Sequence, residues 1–323
     1  MRIFLTGATG VLGRSLVPRL LGRGHSVVGT SSRKEGLQQL EQMGVEPVLM
    51  DGLDRASVVG AVMAAQPDVV VNEMTALANV RDYKNFDKEF ALTNRLRGEG
   101  TAYLLEGAKA SGAQRIVVQS FAGWPLERGK AVANPEGAPY EKELPEKMRK
   151  SGAAIRGMEE MVLASEEPAG VVLRYGFFYG PGTSFDADGE TTQAVRKGGL
   201  PLVGGGTAVW SLIHIEDAAE ATRLAIEGAP AGAYHVTDDH PAAVHEWLAE
   251  LARVLDAKPP KHVPALLAKL AVGDAGVYLM TKTRGALNAK AKSVLDWKLA
   301  YPDWREGFAT SLGAEASLTS RGS

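Results

Sequence analysis

The sequence predicts an α/β fold, a doubly wound parallel sheet followed by a smaller C-terminal lobe. Short apolar runs alternate with helical patterns through the first half, and the runs are apolar on both faces. A glycine-rich turn joins the first run to the first helical pattern. Strands buried on both faces and linked by crossover helices belong to a parallel sheet covered on both sides.

The elements follow in order. Arg2–Thr6 reads as a strand and Val11–Leu21 as a helix, with Leu12, Leu16 and Leu20 stacked four apart and Val17 and Leu21 widening the stripe. Gly22 and Gly24 end that helix. Strands are expected at Ser26–Thr30, Val45–Met50, Asp68–Asn72 and Arg115–Gln119, with helices over Ala56–Ala65 and Tyr83–Ser111. The segment Pro125–Lys150, with four prolines among mixed Glu and Lys, reads as a long loop. A helix over Gly152–Ser165 and a strand at Gly170–Tyr175 follow. The rest mixes helices at Glu190–Lys197, Glu216–Glu227, Pro241–Leu255 and Leu266–Lys282 with strands at Val209–Ile213 and Ala233–Val236. This pattern assigns residues 1–175, with parts of 205–240, to the sheet domain. Residues 176–204 and 240–315 make the lobe, and 316–323 a frayed tail.

Composition narrows the function. The chain has 323 residues, enough to bury a sizeable core, and a net charge of −2 that recruits neither nucleic acid nor an acidic membrane. Cysteine is absent, which removes disulfides, thiolate metal sites and cysteine nucleophiles. The opening run reaches a glycine turn too soon to hold a signal peptide, and no apolar run suffices to span a bilayer, so a cytoplasmic protein is expected. His235, His240 and His245 are five apart, the wrong spacing for one helix face, and no metal is expected.

The turn Thr6-Gly7-Ala8-Thr9-Gly10-Val11-Leu12-Gly13 carries the clearest chemistry. Gly7 permits a tight bend, Gly10 admits a pyrophosphate close to the backbone, and Gly13 lets the helix pack on the strand. The helix N-terminus offers unpaired N–H groups to the phosphates. This is the signature of a Rossmann-type dinucleotide site, with Thr9, Val11 and Leu12 completing the cradle. The second strand ends in Ser31-Ser32-Arg33-Lys34, and no acid is present to hold a ribose 2′-hydroxyl. Ser32 and Arg33, with Arg14, suit a 2′-phosphate, which favours NADP, with NAD as the alternative. Asp51 either holds the adenine amino group or caps the following helix.

Taken together, these motifs resemble the extended short-chain dehydrogenase/reductase superfamily, in its NAD(P)-dependent epimerase/dehydratase group. The TGxxGxxG spacing at 6–13, Pro67–Asn72, Asn94 with Gly98–Thr101, Arg115–Ser120, the Leu173–Gly182 segment resembling LRxxxxYGPG, and Ser211–Ala219 all fall in that family's order. The resemblance implies a small-molecule oxidoreductase or isomerase and, as one arrangement, a homodimer. It places Met74, Thr75, Ala76, Tyr175, Gly176 and Phe177 around the cofactor.

The chain departs from the family where proton transfer is done. Family enzymes pair a Ser or Thr with YxxxK, whose lysine lowers the tyrosine pKa. Here the tyrosine's place is Gly152 and the lysine's is Arg156, while Phe121 stands at the usual hydroxyl and Ser120 one position earlier. Tyr278–Lys282 matches YxxxK by letter only. Ser120, Arg156, Tyr140 and Tyr179 are the candidate catalytic groups, and Arg156 also a ligand of the nicotinamide ribose. Phe121, Trp124, Phe178 and Trp210 would wall a pocket for an apolar or aromatic substrate. His214 and Asp217 read as a helix cap or a bridge between lobes. Two functions fit: an NADP-dependent oxidoreductase or isomerase with a non-standard active site, and a catalytically silent NAD(P)-binding sensor.

Overall fold

A computed structural model describes residues 1–80, 82–127 and 133–312. The expected tail, 316–323, and part of the long loop lie outside the described residues. Seven strands form one parallel sheet: β1 (Arg2–Thr6), β2 (Ser26–Ser31), β3 (Glu46–Leu49), β4 (Val69–Asn72), β5 (Arg115–Phe121), β6 (Ala169–Tyr175) and β7 (Gly232–Val236). Their order is β3-β2-β1-β4-β5-β6-β7, so the winding reverses between β1 and β4. Ligands of such sheets bind at that reversal, beyond the carboxyl ends of the strands.

Six helices cover the two faces: α1 (Val11–Gly22), α2 (Lys34–Gln42), α3 (Arg55–Ala65), α4 (Thr101–Ser111), α5 (Arg149–Leu163) and α6 (Ile215–Gly228). Alternation along β1 shows how the sheet feeds both layers. Ile3 and Leu5 join Leu16 and Leu20 of α1 and Ala218 of α6 on one side. Phe4 joins Val62 of α3, Leu104 of α4 and Met158 of α5 on the other. The outer strand β3 is four residues long and carries Pro47, which has no N–H to donate. Among the described residues no helix is long and apolar enough to cross a membrane.

The C-terminal lobe has its own core, in which Phe185, Trp247, Leu251, Trp304 and Phe308 are buried together. Helices Val244–Val254 and Trp304–Leu312 contribute to it and to the adjoining surface, as does Ala265–Thr281, which is not the single helix expected over Leu266–Lys282 but breaks at Gly273 (φ +67°). Glu216 accepts hydrogen bonds from Ser15 and Arg19 of α1. Asp217 accepts the backbone N–H groups of Ala300 and Tyr301, 2.8 Å each, and so ties α6 to the lobe.

Two further expectations need correction, and one helix stands outside the expected pattern. Tyr83–Ser111 is not one helix: Asp82 caps a short turn at Tyr83–Asn85 by accepting the Lys84 N–H, and a π-turn at Leu96–Gly100 precedes α4. Gly100 at that turn lies against Gly52, whose carbonyl oxygen would be 3.1 Å from any added Cβ. The strand expected at Val209–Ile213 is split at Ser211, whose hydroxyl accepts the Ala286 N–H at 2.8 Å. Helix α2, only sparsely apolar, is an element that the apolar pattern does not announce.

Candidate active site

The turn between β1 and α1 is built for a phosphate. Gly7 has φ +72°, and any Cβ there would drive into the Glu73 backbone. A Cβ at Gly13 would drive into the carbonyls of Gly7 and Ala8, so α1 can approach β1 only with glycine there. Gly10 is exposed, and its N–H donates to the Gly7 carbonyl at 2.8 Å. Helix α1 has no side-chain cap and no acid in its first turn, which leaves its N-terminal amides for an anion. Arg14 is fixed beside the turn by donating to the Thr9 carbonyl at 2.9 Å. The residues present therefore fit a dinucleotide's paired phosphates.

Ser32 and Arg33 are exposed at the end of β2. The Ser31 hydroxyl accepts the Arg33 N–H at 3.1 Å, which shapes the bend into α2. Asp54, not Asp51, caps α3, accepting the N–H groups of Ala56 and Ser57. The Asp51 carboxylate accepts the Leu53 N–H and stays exposed. Met74, Thr75 and Ala76 are half-buried beyond β4.

Directly behind the turn lies Glu73, buried and unforeseen from the sequence. One carboxyl oxygen accepts from the Tyr175 hydroxyl at 3.1 Å, and the other has no partner in the described structure. Burial pushes the Glu73 carboxyl up to about 8, with the Tyr175 hydrogen bond opposing, so it is neutral at pH 7. Tyr175 also bonds Thr222 at 2.7 Å.

A second buried carboxylate, Glu159 of α5, organises the ends of β5 and β6. It is 1% exposed and receives Arg174 of β6 at 2.5 Å, the Ser120 hydroxyl of β5, and the Tyr140 hydroxyl at 2.5 Å. Burial opposes the Arg174 charge, and the Glu159 carboxylate outweighs it, holding the guanidinium above its ordinary pKa. Arg174 reaches further, to the Glu136 carbonyl at 2.8 Å and the His235 ring at 3.5 Å. Arg97, from the π-turn, is buried nearby, with two nitrogens unpartnered in the described structure, and burial lowers its pKa to about 10 against the pull of Glu159. Burial first, and then the Glu159 carboxylate, push the Tyr140 phenol well above its ordinary range.

Two of the four catalytic candidates, Ser120 and Tyr140, thus meet on one carboxylate. Arg156 lies near them, 5.8 Å from the Tyr140 ring centre, and is exposed and paired with Glu160 at 2.7 Å. Tyr179 does not join them. It is fully buried between His214, Phe308 and Gly307 in the lobe core, a packing position sealed from solvent. His214 caps α6 by accepting the Glu216 N–H, and its ring is stacked on Tyr301.

The aromatic residues also sort differently from the expectation. Phe121 meets Phe177 edge-on at 5.0 Å, and Phe177 stacks on Trp210 at 3.8 Å, a continuous half-exposed wall. Phe178 faces the other way, against Tyr175 in the sheet core, because neighbours on a strand alternate sides. Trp124 is buried against Phe86, with Leu144, Ile155 and Tyr278 in the same cluster. At Gly152 the space a side chain would take is filled by Leu144, closer than real Cβ atoms come to any neighbour. Sequence alone missed Glu73, Glu159, Arg97 and Arg174. The available signal was a charge set inside an apolar run, as in Val69–Glu73 and Gly170–Tyr175.

The model of the NAD dependent epimerase/dehydratase family matches residues 3–236. A 3-diazoavenalumate denitrifying reductase of a Streptomyces species is 42% identical over 309 residues, 95% of this chain and 99% of that protein. A 2-alkyl-3-oxoalkanoate reductase of Stenotrophomonas maltophilia is 28% identical over 268 residues, 80% and 76% of the two chains. Among solved structures, the UDP-glucose 4-epimerase of Thermus thermophilus in complex with NAD aligns at TM-score 0.73 and 23% identity, covering 96% of this chain and 97% of that one. A human epimerase family protein with NADPH aligns at TM-score 0.73 and 20% identity, covering 96% and 99%.

Proposed function

The chain belongs to the NAD dependent epimerase/dehydratase family, and from that premise we propose that it is an NADPH-dependent reductase of a flat, diazo-bearing substrate. The observation that carries this reading is Gly152. Where the family's tyrosine would stand there is no side chain, and Leu144 occupies the space. Tyr140, a phenol that lines the same cavity as Gly152, donates its hydrogen bond to Glu159 and is raised, not lowered, in pKa. A carbonyl reduction needs a proton as well as a hydride. An aryl diazonium needs only the hydride: a C–H bond forms, the C–N bond breaks, dinitrogen leaves with the bonding pair, and no protein proton is consumed. The similarity to a diazo-compound reductase supports this choice over other hydride acceptors.

Reduced nicotinamide supplies the hydride when bound. The amides at Gly7–Gly13 would hold its pyrophosphate, Asp51 the adenine, and Ser32, Arg33 and Arg14 a 2′-phosphate. Met74, Thr75 and Ala76, half-buried beyond β4, would line the nicotinamide side, with the backbone of Tyr175, Gly176 and Phe177 beside it. The wall of Phe121, Phe177 and Trp210 offers a flat apolar surface on which an aromatic ring would stack. Glu159 holds Ser120 and Tyr140 still.

The test is isotopic. With NADPH deuterated at the transferred position, a diazo phenol should yield product carrying deuterium at the carbon that lost nitrogen. Reaction in heavy water with unlabelled NADPH should leave that carbon protiated. Solvent deuterium at that carbon would overturn the mechanism. Tight NADPH binding with no oxidation would instead support the silent sensor.

A further inference from the structure

On the outer side of α5, a cavity of about 560 Å³ opens beneath the loop that carries Tyr140. That volume lies in the usual small-molecule range of roughly 300–1,000 Å³. Pro125, Pro139 and Leu144 give it apolar sides, and Gly152 adds no side chain to its floor. Three cations, Lys142, Arg149 and Arg156, line the same space, with Glu141 as the one acid. Arg149, Gly152 and Arg156 share one helical face because they lie three and four residues apart.

The cations are unequally committed. Arg156 is engaged with Glu160. Arg149 is steadied through its Nε, which donates to the Leu144 carbonyl at 3.3 Å. No carboxylate within ion-pair distance of Arg149 or Lys142 is found among the described residues. A cavity with apolar sides and cations at its edge matches a molecule that is flat at one end and anionic at the other.

We propose that this cavity binds the carboxylate of a conjugated aromatic acid, with Arg149 and Lys142 as the anion-reading residues. The proposal rests on the reductase reading and supplies its substrate class: the acid end sits against Arg149 and Lys142, and the apolar end lies between Pro125, Pro139 and Leu144 beside Tyr140. Arg149 and Lys142 act in binding and touch no reacting atom.

The experiment measures binding without turnover, so it can fail separately from hydride transfer. The full chain with NADP bound is titrated calorimetrically with cinnamate and with cinnamamide. Cinnamate should bind at least about tenfold tighter, since a charge-assisted hydrogen bond is stronger than a neutral one by roughly that factor. Arg149→Met should remove most of that preference while leaving the amide and NADP affinities unchanged. Lys142→Met, at an exposed position, should reduce it more modestly and guards against misfolding of the first variant. Equal affinities for acid and amide, or an unchanged ratio in both variants, overturn the proposal. So does a loss of NADP rather than cinnamate affinity. Absence of NADPH oxidation by a diazo acid, with the cinnamate preference intact, would sink the reductase reading alone.

Discussion

The two halves of the cleft are held by different means. At the β1–α1 turn, position is set by backbone: Gly7 and Gly13 are where they are because a Cβ would strike a carbonyl, and no side chain caps the helix. At the ends of β5 and β6, position is set by charge: Glu159 gathers Arg174, Tyr140 and Ser120 on two oxygens. Each half buries a carboxylate, yet Glu73 stays neutral with a single donor while Glu159 is saturated. The turn keeps the family's spacing, and the other half is built around the buried Glu159 carboxylate.

Substitutions can test that contrast. The largest effect should come from Glu159→Leu, which strands the buried Arg174 charge and should cost about 3–5 kcal/mol in denaturant unfolding. A loss below about 1 kcal/mol would mean the cluster is not held by charge. Pairing it with Arg174→Met should recover much of the loss, since a matched apolar pair removes the stranded ion.

Glu73→Gln probes the neutral carboxylate. The folded pKa is raised, so its stabilisation is complete below about 4.5 and is lost as pH rises through about 8. The variant should match the parent near pH 4 and exceed it by about 4 kcal/mol near pH 8. Parallel stability curves across that window would show Glu73 to be ionised in the folded chain.

Gly10→Val tests the backbone half without unfolding it. Gly10 has an ordinary φ of −69°, and only the Gly7 carbonyl lies near its Cβ position. NADPH affinity should fall about a hundredfold, near 2.7 kcal/mol, while the cofactor-free melting temperature moves by only ~2–4 °C. Retained affinity in calorimetry would detach the phosphates from this turn. The smallest effect is specific. Arg33→Ala should weaken NADPH about tenfold and leave NADH unchanged, as expected for one exposed charge-assisted contact. Equal losses for both cofactors would remove the 2′-phosphate assignment.

What can be read from sequence follows from how local each determinant is. The strands and α1 are legible because their apolar periods are complete within a dozen residues. Helix α2 is not, since Leu40 is its one buried residue. The break within Tyr83–Ser111 depends on Asp82 as a cap and on Gly100 meeting Gly52, neither of which changes the apolar count. In the site, the glycine turn is contiguous and readable. Glu159 meets Ser120 across 39 residues and Arg174 across 15, and nothing local distinguishes it from Glu160, which lies exposed beside it. Phe177 and Phe178 are hard to tell apart for a related reason: adjacent residues face opposite ways, and Gly176 hides the phase.

The outermost strand has a consequence for the molecule as a whole. β3 ends the sheet with four residues, of which Glu46 is charged and ion-paired to Arg2 at 2.6 Å, and Pro47 has no amide hydrogen. A polypeptide approaching that border finds an interrupted row of donors and a charge in place of a flat apolar ribbon, so the ladder has no template on which to grow. In a crowded solution of partly opened molecules, fibril-like stacking along this border is therefore disfavoured by the border itself.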